Sequence, residues 1–376
     1  MNILEKKFEQ QLQLLIEANK SFAIYKLPNT QSINFVAQIT NSPSSVKCFT
    51  DLKDKKGFII CPFNQTDHNP IFIIEPEIEI EGISSIVNNL SNLFSEAVIA
   101  EKNHIAHNND ITDISNASDE YDLYIANCNK FIQPLIKGEF RKLVLSRSHS
   151  IPLPSNFSPL QSFMKATKTY PRMMNYVFYT PQTGLWMGNT PEIILSGQDK
   201  LWSTVAIAGT KSLQSVTNNS TDWDAKNIEE QNIVAQYIRN TIAPYAKETE
   251  ENGPYTAQAG NVVHLKTEFN FSLINNLEVG ELLEKLHPTP AVCGYPKEKA
   301  FDFIMRNEGY NREYYSGIIG ILDPEHKTDL YVNLRCAKID KKRITLYAGG
   351  GIMPHSKADQ EWNETQIKMQ TLLNVL

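Results

Sequence analysis

Between Ser21 and Glu75 the chain passes through short apolar or alternating stretches, SFAIYKL, INFVAQI, GFIICPF and IFIIE, separated by Pro, Asn, Asp and Gly. Runs of this length, rich in Ile, Val, Phe and Tyr and bounded by turn formers, predict half-buried β-strands. Ahead of them, MNILEKKFEQQLQLLIEANK mixes acids with lysines and has no apolar run long enough for a signal peptide or a membrane span. It reads as a short amphipathic helix. Residues 84–102 predict a second helix, and the polar, aperiodic stretch HIAHNNDITDISNAS predicts a linker.

After the linker the pattern changes. A helix is expected over 121–136, leading into the strand RKLVLSR. Further strands are expected at MNYVFY, GLWMGN, EIILSG, KLWSTVAIAG, VVHLKTEF, SGIIGILD, LYVNLRCAKI and RITLYAGG, with helices over 158–169, 222–245, 278–286, 296–307 and 357–375. Many strands beside segregated helices, without regular βαβ alternation, predict an α+β fold: large, mainly antiparallel β-sheets forming a sandwich core flanked by helices. Residues 1–115 are then a strand-rich N-terminal part of the same fold, and 116–376 its functional core.

Composition narrows the partners. A content of 41% hydrophobic and 21% charged residues over 376 positions is that of a globular chain able to bury a substantial core. The formal charge of −6 argues against nucleic acid or an anionic membrane as partner, so an anionic small molecule would need a local cluster of positive groups. Cys48, Cys61, Cys128, Cys293 and Cys336 are odd in number, widely spaced and form no C-x-x-C pair. They read as reduced, buried thiols of a cytoplasmic protein. No Walker loop, G-x-G-x-x-G, H-E-x-x-H or G-x-S-x-G occurs, which removes the usual support for nucleotide, zinc-peptidase and serine-hydrolase chemistry.

Several residues could carry chemistry, each with a plain structural alternative. Glu361 and Glu364 lie three apart on a predicted helix and project from one face. A solvated surface explains such a pair, and so does a hard divalent cation, which prefers carboxylate oxygen. Glu230 precedes Ile233 and Tyr237 by three and seven residues, which turns it toward the apolar face of its helix. The run Gly349-Gly350-Gly351 is a turn, or a concavity whose backbone N–H groups approach an anion. Arg335 sits in LYVNLRCAKI, apolar enough to be a buried strand, where a guanidinium needs an anionic partner. Lys142 presents the same problem in RKLVLSR: a desolvated lysine can serve as a base, although most strand lysines reach to solvent. His287, at a helix end before Pro288, caps or packs as readily as it binds.

In order along the chain, KLVLSR (142–147), GNTPEIIL (188–195), AIAGT (206–210), KNIEEQNIV (226–234), LHPTPAVCGYP (286–296), YYSGIIG (314–320), VNLRCA (332–337), YAGGGI (347–352) and QEWNET (360–365) resemble the chorismate-utilising enzymes, the anthranilate synthase component I-like family. The resemblance covers roughly residues 118–375. It implies that Glu230 and Glu364 bind Mg2+, with Glu361 contributing directly or through water. It also implies that Arg335, Lys368, the backbone at Gly349, Gly350 and Gly351, and the hydroxyl of Thr210 engage the substrate, in a pocket completed by Ala208, Gly209, His287 and Thr289. Members that add ammonia usually carry glutamine at the position of Lys142, and aminodeoxychorismate synthases a lysine at that of Ala208. The departures here point to water as nucleophile and to the members that convert chorismate to isochorismate, with Lys142 as general base and Glu192 as general acid. Burial should keep Glu192 protonated.

Isochorismate serves menaquinone and siderophore biosynthesis, and the resemblance leaves the branch open. Salicylate synthase, which goes on to eliminate pyruvate, is the alternative within the family, and a catalytically dead chorismate-binding protein the alternative outside enzymes. Gln231 stands where many members have histidine, and Asn189-Thr190 where a small residue and serine are frequent. The remaining expectations are a monomer with no nucleic-acid or membrane partner.

Overall fold

The computed structural model describes residues 2–96, 117–198, 200–213, 223–259, 262–275 and 279–376. The described residues form two nine-stranded sheets, and every strand pairing within them is antiparallel. Numbered along the chain, the first sheet runs in the order β14 (Gly294–Tyr295), β7 (Lys142–Pro152), β18 (Arg343–Ile352), β17 (Cys336–Ile339), β9 (Gly184–Thr190), β8 (Met174–Thr180), β1 (Ser21–Lys26), β2 (Asn34–Gln38) and β6 (Ile78–Glu81). The second runs β12 (Ala246–Ala259), β13 (Val262–Leu273), β11 (Leu201–Ser212), β10 (Ile193–Gln198), β16 (Lys327–Val332), β15 (Ile318–Leu322), β4 (Gly57–Cys61), β5 (Ile71–Ile74) and β3 (Ser44–Val46). The mainly antiparallel α+β architecture expected from the strand pattern is the one found.

Strand alternation sorts the core. Along β1, Phe22 and Ile24 face one side of the sheet and Ala23 and Tyr25 the other, and all four are buried because both faces are covered. Between the sheets, Tyr25, Tyr176, Phe178, Trp186 and Tyr347 of the first meet Phe58, Ile60, Ile319 and Tyr331 of the second. The outer face of the first sheet is covered by α1 (Ile3–Glu17), α2 (Ile83–Glu96), α4 (Pro159–Thr169) and α8 (Ala358–Leu373), through Phe8, Leu12, Val87, Leu90, Phe163, Met369 and Leu372. That of the second is covered by α5 (Ala225–Ile242) and α6 (Val279–Leu286), through Val234, Ile238, Leu282 and Leu283. The remaining helices, α3 (Ala117–Ile136) and α7 (Lys297–Asn307), pack Phe131 and Ile304 against Leu143, Leu145 and Cys293 at the β7 end of the first sheet.

Strands from the first 81 residues enter both sheets: β1, β2 and β6 the first, and β3, β4 and β5 the second. The boundary expected at 115/116, and most of the linker expected over 104–118, lie outside the described residues. No helix among the described residues is long and apolar enough to cross a membrane. All five cysteines are free, and four of them are buried.

Besides the short strands β3, β6 and β14, which the pattern did not announce, two longer stretches differ from the expectation. The stretch AKETEENGPYTAQA forms β12, a polar edge strand that pairs with β13 on one side only. It lacks the apolar alternation by which a strand is recognised, and its charges suit an edge left unpaired. The run LYVNLRCAKI is not one strand. It leaves the second sheet after Val332 and joins the first at Cys336, and Arg335 in the gap adopts φ +48°. The crossing is held by Asn333, whose N–H donates to Gly317 O at 2.9 Å and whose Nδ2 donates to Tyr314 O at 2.9 Å. Arg335 is therefore a residue of the sheet-to-sheet passage, not of a strand interior.

Candidate active site

The passage borders a cavity, to which Leu334 and Arg335 contribute. The cavity there is lined by Glu192, Ala208, Gly209, Thr210, Glu230, Arg335, Gly349, Gly350, Gly351 and Lys368, together with Val144, His264, Val292, Tyr315 and Tyr347. These residues come from both sheets and from α5 and α8, and their convergence depends on the sheet order.

Lys142 starts β7 and is 0% exposed. Its Nζ lies 3.0 Å from Oε1 of Glu230, an ion pair that is not aligned as a hydrogen bond. Glu230 belongs to the buried face of α5, a helix capped by Asp224, which accepts from the Asn227 N–H at 2.9 Å. In α5, Gln231 donates to Ala206 O at 3.1 Å and to Thr267 Oγ1 at 3.0 Å, so it ties the helix to β11 and β13 rather than facing the cavity.

The glycines serve close approach. A Cβ on Gly351 would overlap Oε1 of Glu230 and stand 2.9 Å from Cε of Lys142, while one on Gly350 would stand 3.3 Å from Oε2 of Glu361 and 3.4 Å from Oε1 of Glu364. Glu230 thus meets β18 at Gly351 and the two α8 acids meet it at Gly350, and Lys226 feels the charge of all three. Each acid also has its own lysine: Lys226 Nζ is 2.5 Å from Glu361 Oε1, and Lys368 Nζ is 2.6 Å from Glu364 Oε1 and 2.9 Å from Gly349 O. Burial and then the Glu364 charge push Glu361 up from its ordinary pKa. Burial works the same way on Glu364, but Lys368 and Lys226 outweigh it and hold that group down.

Among the described residues no three His, Cys, Asp or Glu side chains are arranged as a ready metal shell. The donor set still fits magnesium. It is all carboxylate oxygen, and Oε2 of Glu361 is buried without a partner.

Glu192 follows the Thr190-Pro191 bend between β9 and β10, held where Val332 N–H donates to its carbonyl at 2.9 Å. Burial raises its pKa to about 7 against the opposing pull of Lys142, Arg335 and Lys368. Arg335 has a buried Nε with no partner, and one terminal nitrogen lies 3.5 Å from Nε2 of His264. His264 Nδ1 lies 2.9 Å from Gly209 O, and burial followed by the Arg335 and Lys368 charges pulls its pKa down to about 3. A neutral ring that gives Nδ1–H to Gly209 presents its Nε2 lone pair to Arg335, and so orients the guanidinium without neutralising it.

Of the expected site residues, Lys142, Glu361, Glu364, His287 and Thr289 are not among those lining the cavity, and the first three stand against its wall at Gly350 and Gly351. The His287 Nε2 is 3.2 Å from Pro62 O, and its ring is 5.7 Å from that of Phe49. Three contributors went unnoticed in the sequence. Lys226 and His264 stand inside the motifs KNIEEQNIV and VVHLKTEF, but nothing in their spacing shows what they face. The third is the buried pair Glu308–Arg312, 2.6 Å apart. Glu308 accepts from Ser146 N–H at 2.7 Å, while Arg312 donates to Val144 O at 3.0 Å and to Val292 O at 2.8 Å. It fastens β7 to the HPTPAV segment.

The chain is similar to several known proteins. Isochorismate synthase EntC of Escherichia coli K12 is 30% identical over 211 residues, 54% of each chain. Isochorismate synthase MenF of Bacillus subtilis is 32% identical over 212 residues, 54% of this chain and 45% of that one. The matched stretch thus spans about half the length of these relatives. The structure of MenF, the menaquinone-specific isochorismate synthase from Escherichia coli, superposes with a TM-score of 0.76 at 19% identity, over 100% of this chain and 91% of that one, and so shares the fold. The profile of the chorismate binding enzymes matches residues 65–376, and the chain belongs to that family.

Proposed function

We propose that the protein is a magnesium-dependent isochorismate synthase, which isomerises chorismate to isochorismate by adding water at C2 and expelling the C4 hydroxyl. The observation that carries this reading is Glu192, a carboxyl raised to about 7 in a cavity that also holds the Arg335 guanidinium, whose Nε has no partner, and that lies against the buried Lys142. An acid able to hold its proton near neutral pH, set among cations suited to carboxylates, matches a dianionic substrate that must lose a hydroxyl.

In this mechanism Lys142, starting as the neutral amine, accepts a proton from water as the water oxygen bonds to C2. The ring double bond shifts, the C4–O bond breaks, and Glu192 gives its proton to the departing hydroxyl, which leaves as water. One water enters and one leaves. Solvent returns the proton from lysine to glutamate, so the product is an isomer of the substrate. Arg335, oriented by His264, and Lys368 bind the substrate carboxylates, and the backbone of Gly349–Gly351 leaves room for them. Glu230, Glu361 and Glu364 would hold the magnesium ion. When bound, the ion supplies positive charge that anchors a ring carboxylate.

Ala208, which lines the cavity, supports water as nucleophile, because a methyl group there offers no amine to the ring. The names of the relatives favour a place in menaquinone or siderophore formation. Incubation with chorismate and magnesium, followed by chromatography, tests the reading: isochorismate should accumulate, and a chelator should abolish it. Salicylate fluorescence without an added lyase would indicate pyruvate elimination instead. Chorismate binding without turnover would indicate a binding protein.

A further inference from the structure

KLVLSR carries a second cation that the proposed mechanism does not use. Arg147 is 7% exposed and lies five residues from Lys142 on β7, so it leaves the opposite face of the strand. Its guanidinium carbon stands 3.8 Å from the centre of the Trp362 ring. The Nε donates to Thr365 Oγ1 at 2.7 Å and Nη2 to Gln366 Oε1 at 2.6 Å. Glu120, on α3, is 3.5 Å away. The short bonds therefore go to neutral acceptors on α8, and the carboxylate is the most distant polar partner. A simple ion pair would show the reverse order.

We infer that Arg147 is a positioning residue that fixes the rotation of α8, and thereby the place at which Glu361 and Glu364 meet the glycine strand. The inference rests on the magnesium reading above. Trp362, Thr365 and Gln366 occupy one turn, interleaved with the two acids. On a helix each residue turns by about 100°, so anchoring three positions of a turn leaves the neighbouring side chains no rotational freedom. The start of α8 needs such an anchor, since its N-cap, Lys357, makes no side-chain capping bond. Thr365 passes the constraint on by donating to Trp362 O at 2.7 Å. Only a planar fork can stack on the indole and bond along two edges at once, which is why arginine and not lysine suits the position.

The strand also links this clamp to the base. In the β7–β18 pairing, Arg147 stands opposite Ala348 and Val144 opposite Gly351, so the register that places Lys142 beside Glu230 also places Arg147 beneath α8. Slippage of α8 would move the carboxylates, and Lys368 with them, without displacing Lys142 or Glu192.

The test uses the full chain with Arg147→Met and Arg147→Lys. Magnesium binding is measured by calorimetry without chorismate, the magnesium dependence of turnover by kinetics, and folding by thermal melting. Arg147→Met should weaken magnesium binding by roughly 10–100-fold, the range found when a residue supporting a metal ligand is removed. The kcat at saturating magnesium should stay near that of the wild type, with Arg147→Lys intermediate. Unchanged magnesium affinity in folded Arg147→Met, or a loss of kcat that magnesium does not restore, would overturn the inference. Should Arg147→Met fail to fold, the double variant Thr365→Val/Gln366→Ala keeps the arginine beside Glu120 and removes its acceptors. A weaker magnesium affinity there supports the clamp, and an unchanged one rejects it. A wild-type protein that binds no magnesium would instead sink the metal reading itself.

Discussion

The Nζ of Lys142 and Oε1 of Glu230 meet 3.0 Å apart on the side of β18 where Gly351 has no side chain. Gly351→Ala would push a methyl group into both. Overpacking of this kind costs about 1–3 kcal/mol, and a displacement of the order of 1 Å at a reacting group costs about 10²-fold in rate. The variant should therefore stay folded by circular dichroism and lose roughly that much kcat. Wild-type turnover would show that the pair is not held by this contact.

Lys142→Met and Glu192→Gln remove the two proposed proton carriers while nearly preserving volume. Each should reduce kcat by roughly 10²–10⁴-fold, the usual contribution of a general acid or base. The double variant should lose less than the product of the two, because both groups serve one step. Steady-state kinetics on the three proteins checks this, and full activity in either single variant contradicts the assignment.

The raised Glu192 carboxyl predicts an asymmetric pH response. The group is protonated in the folded protein below about 7, so kcat/KM should fall as pH rises through that value, and Glu192→Gln should lack that limb. The stability effect has the same sign. An unfolded glutamate ionises near 4.3, so the folded state binds the extra proton between the two values. Glu192 then favours folding most below the unfolded value and loses that contribution as pH rises toward about 7. Denaturant titrations of wild type and Glu192→Gln across this window should converge at its acidic end.

Lys226 competes with any cation for Glu361, whose other oxygen is buried and unpartnered. Lys226→Met should therefore tighten magnesium binding several-fold, by removing a charge that the metal otherwise displaces. Calorimetry decides the sign, and weaker binding would mean that the lysine helps to place the acid instead.

Arg335 shows most clearly how far the chain can be read on its own. The apolar run around it announces burial, and burial announces the need for an anion. Yet the same apolarity suggests an unbroken strand, because residues on either side of a sheet change have identical reasons to be apolar. Only the pairing of β16 with one sheet and β17 with the other exposes the passage. Lys226 and His264 stayed unnoticed for a related reason: a polar residue on a helix or strand gives no sign of its partner when that partner is 135 or 71 positions away.

What the chain alone determined is local: where apolar alternation makes strands, where the helical period makes helices, and which charged residues are surrounded by sequence too apolar to leave them in water. Hydrophobic periodicity is a property of neighbours in sequence, so it survives without coordinates. Which buried charges face one another is a matter of the assembled fold. The Lys142–Glu230 pair and the cations around Glu192 both follow from the order of strands in two sheets. That order is set by packing over the whole core, which no single segment encodes.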